Sequence, residues 1–195
     1  MLSRIDFSPD DVIIDVGCGT GRHSIQLSQK TNAKAIFACD FINKNIEFLN
    51  NQATTLGLEN LHGVVCNGAN FSDFIDVENC DYILGIGFIQ YLTTESELDS
   101  FSKCCSSLLN SGGSLILKHP LSCVPTYLLD YYREDMKTRY ISKYYDLNEL
   151  MRPLLKDFDL LSIERTFTES NVGPLLDKIE VDERARQMWI HLVKK

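Results

Sequence analysis

The fold of this chain is decided by the stretch VIIDVGCGTG at residues 12–21, in which an apolar run gives way to three alternating glycines. The stretch predicts a buried strand, a glycine-rich turn and a helix that begins near residue 22. Glycine is needed where a ligand or a neighbouring backbone comes too close for a Cβ atom. A second apolar run ends at Asp40, at about the 20-residue distance where ribose-binding acids lie in such units. Together these features indicate a nucleotide-binding half-unit.

The spacing of the glycines distinguishes two kinds of nucleotide site. The dinucleotide fingerprint G-x-G-x-x-G needs a glycine at position 22, but Arg22 stands there. The sequence DVGCGTG at residues 15–21 instead resembles the first motif of the class I S-adenosylmethionine-dependent methyltransferases. This resemblance implies S-adenosyl-L-methionine as the cofactor, with its methionine tail in the turn. It implies cofactor contacts at Asp15, Gly17, Cys18, Gly19 and Gly21, and His23 in the first helical turn is expected to line the same pocket.

The rest of the chain alternates apolar runs with helix-period segments, which predicts a doubly wound, mostly parallel α/β sheet with helices on both faces. Seven strands are expected, at residues 12–16, 35–39, 63–66, 82–86, 114–118, 160–167 and 188–193. Four helices are expected, at residues 22–29, 44–56, 95–109 and 147–156. Asn43 and either Thr93 or Thr94 are the expected N-caps of the second and third helices, and Gly57 is the expected end of the second. The predicted antiparallel last strand is a trait of the resembled family.

The second motif of the family falls on Asp40 and Phe41. The resemblance implies that Asp40 accepts hydrogen bonds from both ribose hydroxyls and that Phe41 lies against the adenine. Two alternatives stay open: Asp40 caps the following helix, and Phe41 is an ordinary core residue. Because Asn43 stands closer to the predicted helix start, the ribose role of Asp40 is favoured.

The third motif departs from the family, because CNGAN at residues 66–70 lacks the acid that binds the adenine amino group in many relatives. Asn67 or Asn70 offers a side-chain carbonyl in its place, and the backbone of Gly68 and Ala69 offers further contacts. The alternative is a turn built from Asn and Gly because both tolerate left-handed backbone.

Two further candidates follow the fourth and fifth strands, at the strand ends where open α/β sheets bind ligands. The segment DYILGIGFIQYL at residues 81–92 resembles the fourth-strand segment of the small-molecule methyltransferases, with Tyr91 where a His is common. Gly85 is included among the cofactor contacts. Tyr91 is expected to orient the substrate or act as a weak base, or else to pack under a cap. His119 is a candidate general base near neutral pH, with a satisfied polar residue as the alternative.

Six of the eight tyrosines lie within residues 127–145, in the least regular part of the chain. Tyrosine combines apolar contact with a hydroxyl that needs a partner, so residues 120–145 are predicted to form a substrate cap. The alternative is an amphipathic helix that packs on the sheet edge or on another subunit. We expect a single domain over residues 1–195, and a homodimer is possible because a partner subunit would also close the cleft.

Composition narrows the choice of partners. The formal charge of −8 disfavours a nucleic-acid partner, since phosphate contacts need clustered Lys and Arg. Seven cysteines in mostly apolar contexts predict reduced thiols in a cytoplasmic protein, and no ligand spacing suggests a metal. Neither a signal segment nor a membrane-spanning run is evident.

These expectations lead to three hypotheses about function. The leading one is methyl transfer from S-adenosylmethionine to an O or N atom of a small molecule, by in-line displacement. The second is a methyltransferase that acts on a protein or RNA. The third is a protein that binds the cofactor without catalysis, which the missing acid of the third motif motivates.

Overall fold

The computed structural model describes residues 2–134, 137–166 and 184–195. Three-residue 3-10 turns at Leu2–Arg4, Phe71–Asp73 and Ile89–Tyr91 accompany the regular elements. Those elements are β1 (Val12–Val16), α1 (Arg22–Lys30), β2 (Ala35–Asp40), α2 (Asn43–Leu56), β3 (Leu61–Val65), β4 (Cys80–Ile86), α3 (Glu95–Leu108), β5 (Leu109–Ser122), β6 (Tyr127–Arg133), β7 (Thr138–Tyr144), α4 (Leu147–Leu154), β8 (Phe158–Arg165) and β9 (Ala185–Lys194).

Seven of these strands form one sheet in the order β3-β2-β1-β4-β5-β9-β8. Strands β1 to β5 are parallel to one another, and β9 lies antiparallel between β5 and β8. The predicted fold is thereby confirmed, including its antiparallel last strand. Phe167, the predicted end of the sixth strand, lies outside the described residues.

The sheet is buried on both faces, because consecutive strand residues point to opposite sides. Ile13 of β1 packs in one core with Leu27 of α1 and Leu49 of α2. Its neighbour Ile14 packs in the other core with Phe101 of α3. The helices therefore cover both faces, as predicted, and the carboxyl ends of β1, β2, β4 and β5 meet along one edge.

The helix ends correct one prediction and confirm two. Asn43 is the first residue of α2 and not its N-cap, because Asp40 accepts the Ile42 N–H at 2.9 Å and organises the approach to the helix. Gly57 ends α2 in the left-handed region, as expected. Thr94 caps α3, with its hydroxyl accepting from the backbone of the third helical residue.

The tyrosine-rich stretch differs from the prediction, because it forms neither an irregular segment nor a helix. Strands β6 and β7 pair antiparallel as a separate two-stranded sheet, which we call the hairpin. Tyr127 and Tyr131 stand four residues apart in β6, a spacing that places both on one face of the strand. The fifth strand is also longer than predicted, because β5 begins at Leu109 and includes Gly112, which has a φ of +78°.

Candidate functional site

The glycine turn, residues 17–21, lies over the end of β2. The Gly17 N–H donates to the Cys39 carbonyl at 2.8 Å. Gly17 and Gly19 have φ of +72° and +57°, in the region that side chains with a Cβ rarely adopt. A Cβ on Gly17 would lie 2.6 Å from the Phe88 side chain, whereas one on Gly19 would meet no described atom within 4 Å. Gly17 therefore permits packing, and Gly19 leaves space beside the turn.

The turn leads into α1 through Gly21, whose φ of +82° is again left-handed and whose Cβ would collide with Leu49 of α2. Among the described residues no side chain caps α1, so its first N–H groups and positive dipole end are suited to a carboxylate. His23 lies in this first turn, half-buried. Burial, together with the charges of Arg22 and Lys118, lowers the pKa of His23, so the neutral ring is favoured.

Asp15 connects the strand to the helix. Its buried carboxylate accepts a 2.6 Å hydrogen bond from the Ser24 hydroxyl, one turn into α1. Burial raises the pKa of Asp15 to about 6, because the charged form loses solvation, and the bond from Ser24 opposes this only in part. Burial also raises the pKa of the Cys18 thiol. Sequence reasoning missed Ser24, because a serine inside a helix has no distinctive spacing.

Asp40 joins the glycine turn to the start of α2. One carboxylate oxygen accepts from the Gly19 N–H at 2.9 Å. The other accepts from the Ile42 N–H at 2.9 Å and from Asn45 Nδ2 at 3.0 Å. A carboxylate has about four acceptor positions, so the first oxygen keeps capacity for a ribose hydroxyl. Asp40 can therefore organise the start of α2 and still accept from a ribose, because the hydrogen bonds to the helix start do not use all of its acceptor positions. Phe41 beside it is 76% exposed, not a core residue, and its ring face is accessible to an adenine.

The third motif, residues 66–70, forms the turn of Asn and Gly that was the alternative to an adenine-binding motif. Asn67 Oδ1 accepts from the Ala69 N–H at 2.9 Å, which closes an Asx turn. Asn70 Nδ2 reaches Asp73 at 3.3 Å. The side-chain carbonyl of Asn67 is therefore engaged within the turn, and adenine contacts at Asn67, Gly68 and Ala69 stay predictions.

Phe88 is the residue that sequence reasoning missed most clearly. Its side chain is buried against the Cα atoms of both Gly17 and Gly68, where neither position has room for a Cβ. It also lies 5.6 Å from the Phe101 ring of α3. Phe88 thus holds the first and third motifs at a fixed separation. An aromatic residue after a buried strand carries no sequence signal for this role.

Gly85 and Tyr91 are placed differently from expectation. A Cβ on Gly85 would lie 2.9 Å from Leu117 of β5, so core packing accounts for this glycine, and the structure places it against the core and not at the turn. Tyr91 is half-exposed, with its ring 6.2 Å from Tyr140 of the hairpin. Burial and the Tyr140 hydroxyl raise the pKa of Tyr91 to about 12, which disfavours the weak-base role. Contact with the cap is the alternative that this position matches.

His119 is fully buried at the end of β5, under the hairpin. Its Nε2 accepts from the Tyr145 N–H at 3.3 Å, and its ring lies 6.5 Å from that of Tyr144. Burial lowers the pKa of His119 to about 3. A group with this pKa is poorly matched to accept a proton near pH 7, so the structure does not support His119 as a general base.

The comparisons with known proteins agree with this geometry. A family model for the methyltransferase domain matches residues 7–174. The chain belongs to this family. The first-motif resemblance to class I methyltransferases is thereby confirmed, and membership supports the predictions that the chain is an enzyme and that S-adenosylmethionine is its cofactor.

The methyltransferase domain has relatives with different substrates. Ribosomal RNA small subunit methyltransferase G of Staphylococcus haemolyticus is 32% identical over 111 residues, which are 57% of this chain and 43% of that protein. The matched stretch of this chain spans less than half of the length of these curated relatives.

Solved structures share the fold at low identity. A putative S-adenosylmethionine-dependent methyltransferase from Listeria monocytogenes has a TM-score of 0.77 at 14% identity, covering 100% of this chain and 95% of that one. The 1,6-didemethyltoxoflavin-N1-methyltransferase of Burkholderia thailandensis, bound to its substrate and S-adenosylhomocysteine, has a TM-score of 0.69 at 16% identity, covering 95% and 72%.

Two searches of the described residues gave negative results. No group of three or more His, Cys, Asp and Glu side chains there is arranged to hold a metal ion. No helix in the described ranges is long and apolar enough to cross a membrane.

Proposed function

We propose that this chain transfers a methyl group from S-adenosylmethionine to an O or N atom of a small molecule. The observation that carries the proposal is the glycine turn with Asp40 beside it, where Gly19 leaves space and the carboxylate keeps acceptor capacity. When bound, the cofactor supplies a methyl group attached to a cationic sulfonium, and sulfur keeps the C–S electron pair when that methyl group is transferred. The residues present fit that group.

Each part of the turn has a task in this proposal. The N–H groups at the start of α1 bind the cofactor's carboxylate, Asp40 binds the ribose, and the exposed ring of Phe41 covers the adenine. Phe88 fixes the separation of the two loops. The chain thereby holds the donor still while the acceptor atom is brought into line, and such positioning contributes about 7–11 kcal/mol to catalysis.

Proton removal does not depend on a buried base in this mechanism. The pKa of His119 lies near 3 and that of Tyr91 near 12, so neither group readily takes up a proton at pH 7. Because the bound cofactor would supply an already activated methyl group, no base is needed before attack. The lone pair of the acceptor atom would form the new bond to the methyl carbon, and the acceptor's proton would then leave to water. We expect acceptors whose attacking atom is nucleophilic without a strong base.

The acceptor is proposed to be a small molecule because of the charge of −8 and because of the hairpin, whose tyrosine rings lie over the carboxyl end of the sheet. RNA is the second candidate, favoured by the 32% identity to a ribosomal RNA methyltransferase over 111 residues. Tritium-labelled S-adenosylmethionine offered with a metabolite extract or with ribosomal RNA separates the two. Label only in the extract supports the proposal, label only in RNA replaces it, and label in neither leaves a cofactor-binding protein.

Cofactor binding is tested first, by thermal unfolding with S-adenosylhomocysteine. At about 100 times the dissociation constant, a ligand stabilises the fold by about 2.7 kcal/mol. Asp40→Ala should weaken binding by about tenfold or more, because the ribose loses a charged acceptor. Asp99→Ala, which changes a carboxylate on the surface of α3, is the matched control and should bind as the unchanged protein does. Equal binding by Asp40→Ala and Asp99→Ala would rule out the ribose role.

A further inference from the structure

Three buried polar atoms near the end of β5 make no hydrogen bond within the described residues: Gln90 Oε1, His119 Nδ1 and Ser142 Oγ. We call these three side chains the polar cluster. In the described ranges, no other buried side-chain nitrogen or oxygen atom lacks a hydrogen-bond partner. Buried polar atoms are nearly always paired, so their concentration at one place needs an explanation.

The three side chains stand on elements that pack against one another, because the hairpin lies over the end of β5 and over the 3-10 turn at Ile89–Tyr91. Ser142 stands between Tyr140 and Tyr144 on one face of β7. The Tyr140 ring lies 6.2 Å from the ring of Tyr91, which follows Gln90 in the chain. The Tyr144 ring lies 6.5 Å from the imidazole ring of His119. The serine hydroxyl therefore lies in the layer between β7, the 3-10 turn after β4 and the end of β5, with aromatic rings on both sides.

The hydrogen-bonding character of the cluster follows from its contacts. His119 Nε2 accepts from the Tyr145 N–H, so the proton of the neutral ring is on Nδ1, which is a donor. Gln90 Oε1 is an acceptor, and the Ser142 hydroxyl is both. The cluster thus offers both donors and acceptors and carries no net charge.

We propose that the polar cluster binds the acceptor substrate through a neutral ring that carries a carbonyl oxygen next to an N–H group. The carbonyl oxygen accepts from His119 Nδ1 and from the Ser142 hydroxyl, and the N–H donates to Gln90 Oε1, while the tyrosine rings contact the faces of the substrate ring. This inference rests on the proposed function, since it assigns the substrate class of the same site. Entry of a substrate is compatible with the fold, because the hairpin is a separate sheet, so its displacement would leave the strand pairing of the seven-stranded sheet intact.

The first test uses two serines that differ in their partners. Ser142 is buried with its hydroxyl unpaired, whereas the buried Ser102 donates to the Pro153 carbonyl at 3.2 Å. Ser142→Ala should leave the Tm unchanged or raise it, because no hydrogen bond within the chain is lost. Ser102→Ala should lower the Tm. A fall in Tm for Ser142→Ala as large as that for Ser102→Ala would show that its hydroxyl serves the fold.

The second test uses 2-pyridone, a small ring with the proposed carbonyl and N–H, against the chain saturated with S-adenosylhomocysteine. It should raise the Tm at about 10 mM, whereas N-methyl-2-pyridone and benzoate, which lack the N–H or carry a charge, should not. Ser142→Ala and Gln90→Leu should each weaken 2-pyridone binding by about threefold to tenfold. Ser102→Ala should bind it as the unchanged chain does.

The outcomes separate the two proposals. Failure of S-adenosylhomocysteine to bind contradicts the proposed function itself. If S-adenosylhomocysteine binds but 2-pyridone does not, or if benzoate binds as well as 2-pyridone, the inference about the polar cluster is overturned while the proposed function stands. Equal binding of 2-pyridone by Ser142→Ala, Gln90→Leu and the unchanged chain also overturns it.

Discussion

The glycine turn and the polar cluster lie along the same edge of the sheet, but they are built in opposite ways. In the turn, backbone N–H groups and one carboxylate pair with each other, as the bonds from Gly19 and Ile42 to Asp40 show. In the polar cluster, side chains on three elements that pack together each keep one buried polar atom that makes no hydrogen bond within the described residues. Both regions keep capacity for a ligand: the turn through one oxygen of Asp40 and the uncapped start of α1, and the polar cluster through these three atoms.

The comparison explains how such a domain serves different reactions. The donor is the same molecule in every reaction, so a preformed turn suits it. In the proposed function, the acceptor is met instead by the side chains of the polar cluster, which belong to other elements than the turn. The predictions below test whether the two regions are separable in this way.

The largest effect is expected for Gly17→Ala. A Cβ there would meet Phe88 at 2.6 Å in a backbone with φ of +72°, so unfavourable backbone and overpacking together should cost about 2–5 kcal/mol of unfolding free energy. Gly19→Ala has a similar φ of +57° but open space around it, and should cost only about 1–2 kcal/mol. Urea unfolding of both variants measures this difference.

Cofactor binding should rank the same two variants in the other order. The methyl group of Gly19→Ala projects into the space that the cofactor is proposed to use. This variant should therefore lose more affinity for S-adenosylhomocysteine than Gly17→Ala does, although it loses less stability. A Gly19→Ala variant with unchanged affinity would mean that the cofactor does not approach the turn there.

The second effect concerns acid stability at the hairpin end. The pKa of His119 is about 3 in the fold and about 6.5 when unfolded, so the neutral ring contributes stability above pH 6.5 that is lost as the pH falls below it. Between pH 7 and pH 5 the loss should be about 2 kcal/mol. His119→Gln, whose side-chain oxygen can still accept from the Tyr145 N–H, should lack this part of the decline. Identical pH dependence in both proteins would contradict the buried neutral ring.

The smallest effect tests how the hairpin is tied to the sheet. The Tyr145 hydroxyl donates to the Leu92 carbonyl across the layer beneath the hairpin. Tyr145→Phe removes this one bond and should cost about 1 kcal/mol, the usual net contribution of a hydrogen bond, without changing the affinity for S-adenosylhomocysteine. Tyr132→Phe, at an exposed ring on the hairpin, should change neither quantity. Weaker cofactor binding by Tyr145→Phe would show that the two regions are coupled.

The local structure around the glycine turn was predicted well because its signals lie close together in the sequence. Glycine spacing, the apolar run of β1 and the position of Asp40 are all read within residues 12–40, and the observed strand matches the expected one at Val12–Val16. The mostly parallel sheet with helices on both faces was predicted from the alternation of apolar runs with helix-period segments. By contrast, Ser24 and Phe88 act through contacts that no spacing encodes.

The acceptor end was predicted poorly because burial depends on distant elements. His119 was a candidate base at a strand end, with a satisfied polar residue as the alternative, but the hairpin covers it, and only the tertiary fold shows that its charged form is disfavoured. The hairpin itself was missed because residues 120–145 carry no glycine turn that marks a hairpin.

The most direct test of this account is a crystal structure of the chain with S-adenosylhomocysteine bound. The account predicts the ribose on Asp40, the carboxylate at the start of α1, and the sulfur turned toward the end of β4 with its open side facing Gln90, His119 and Ser142. A sulfur turned away from the hairpin, or a ligand that makes no contact with Asp40, would contradict it.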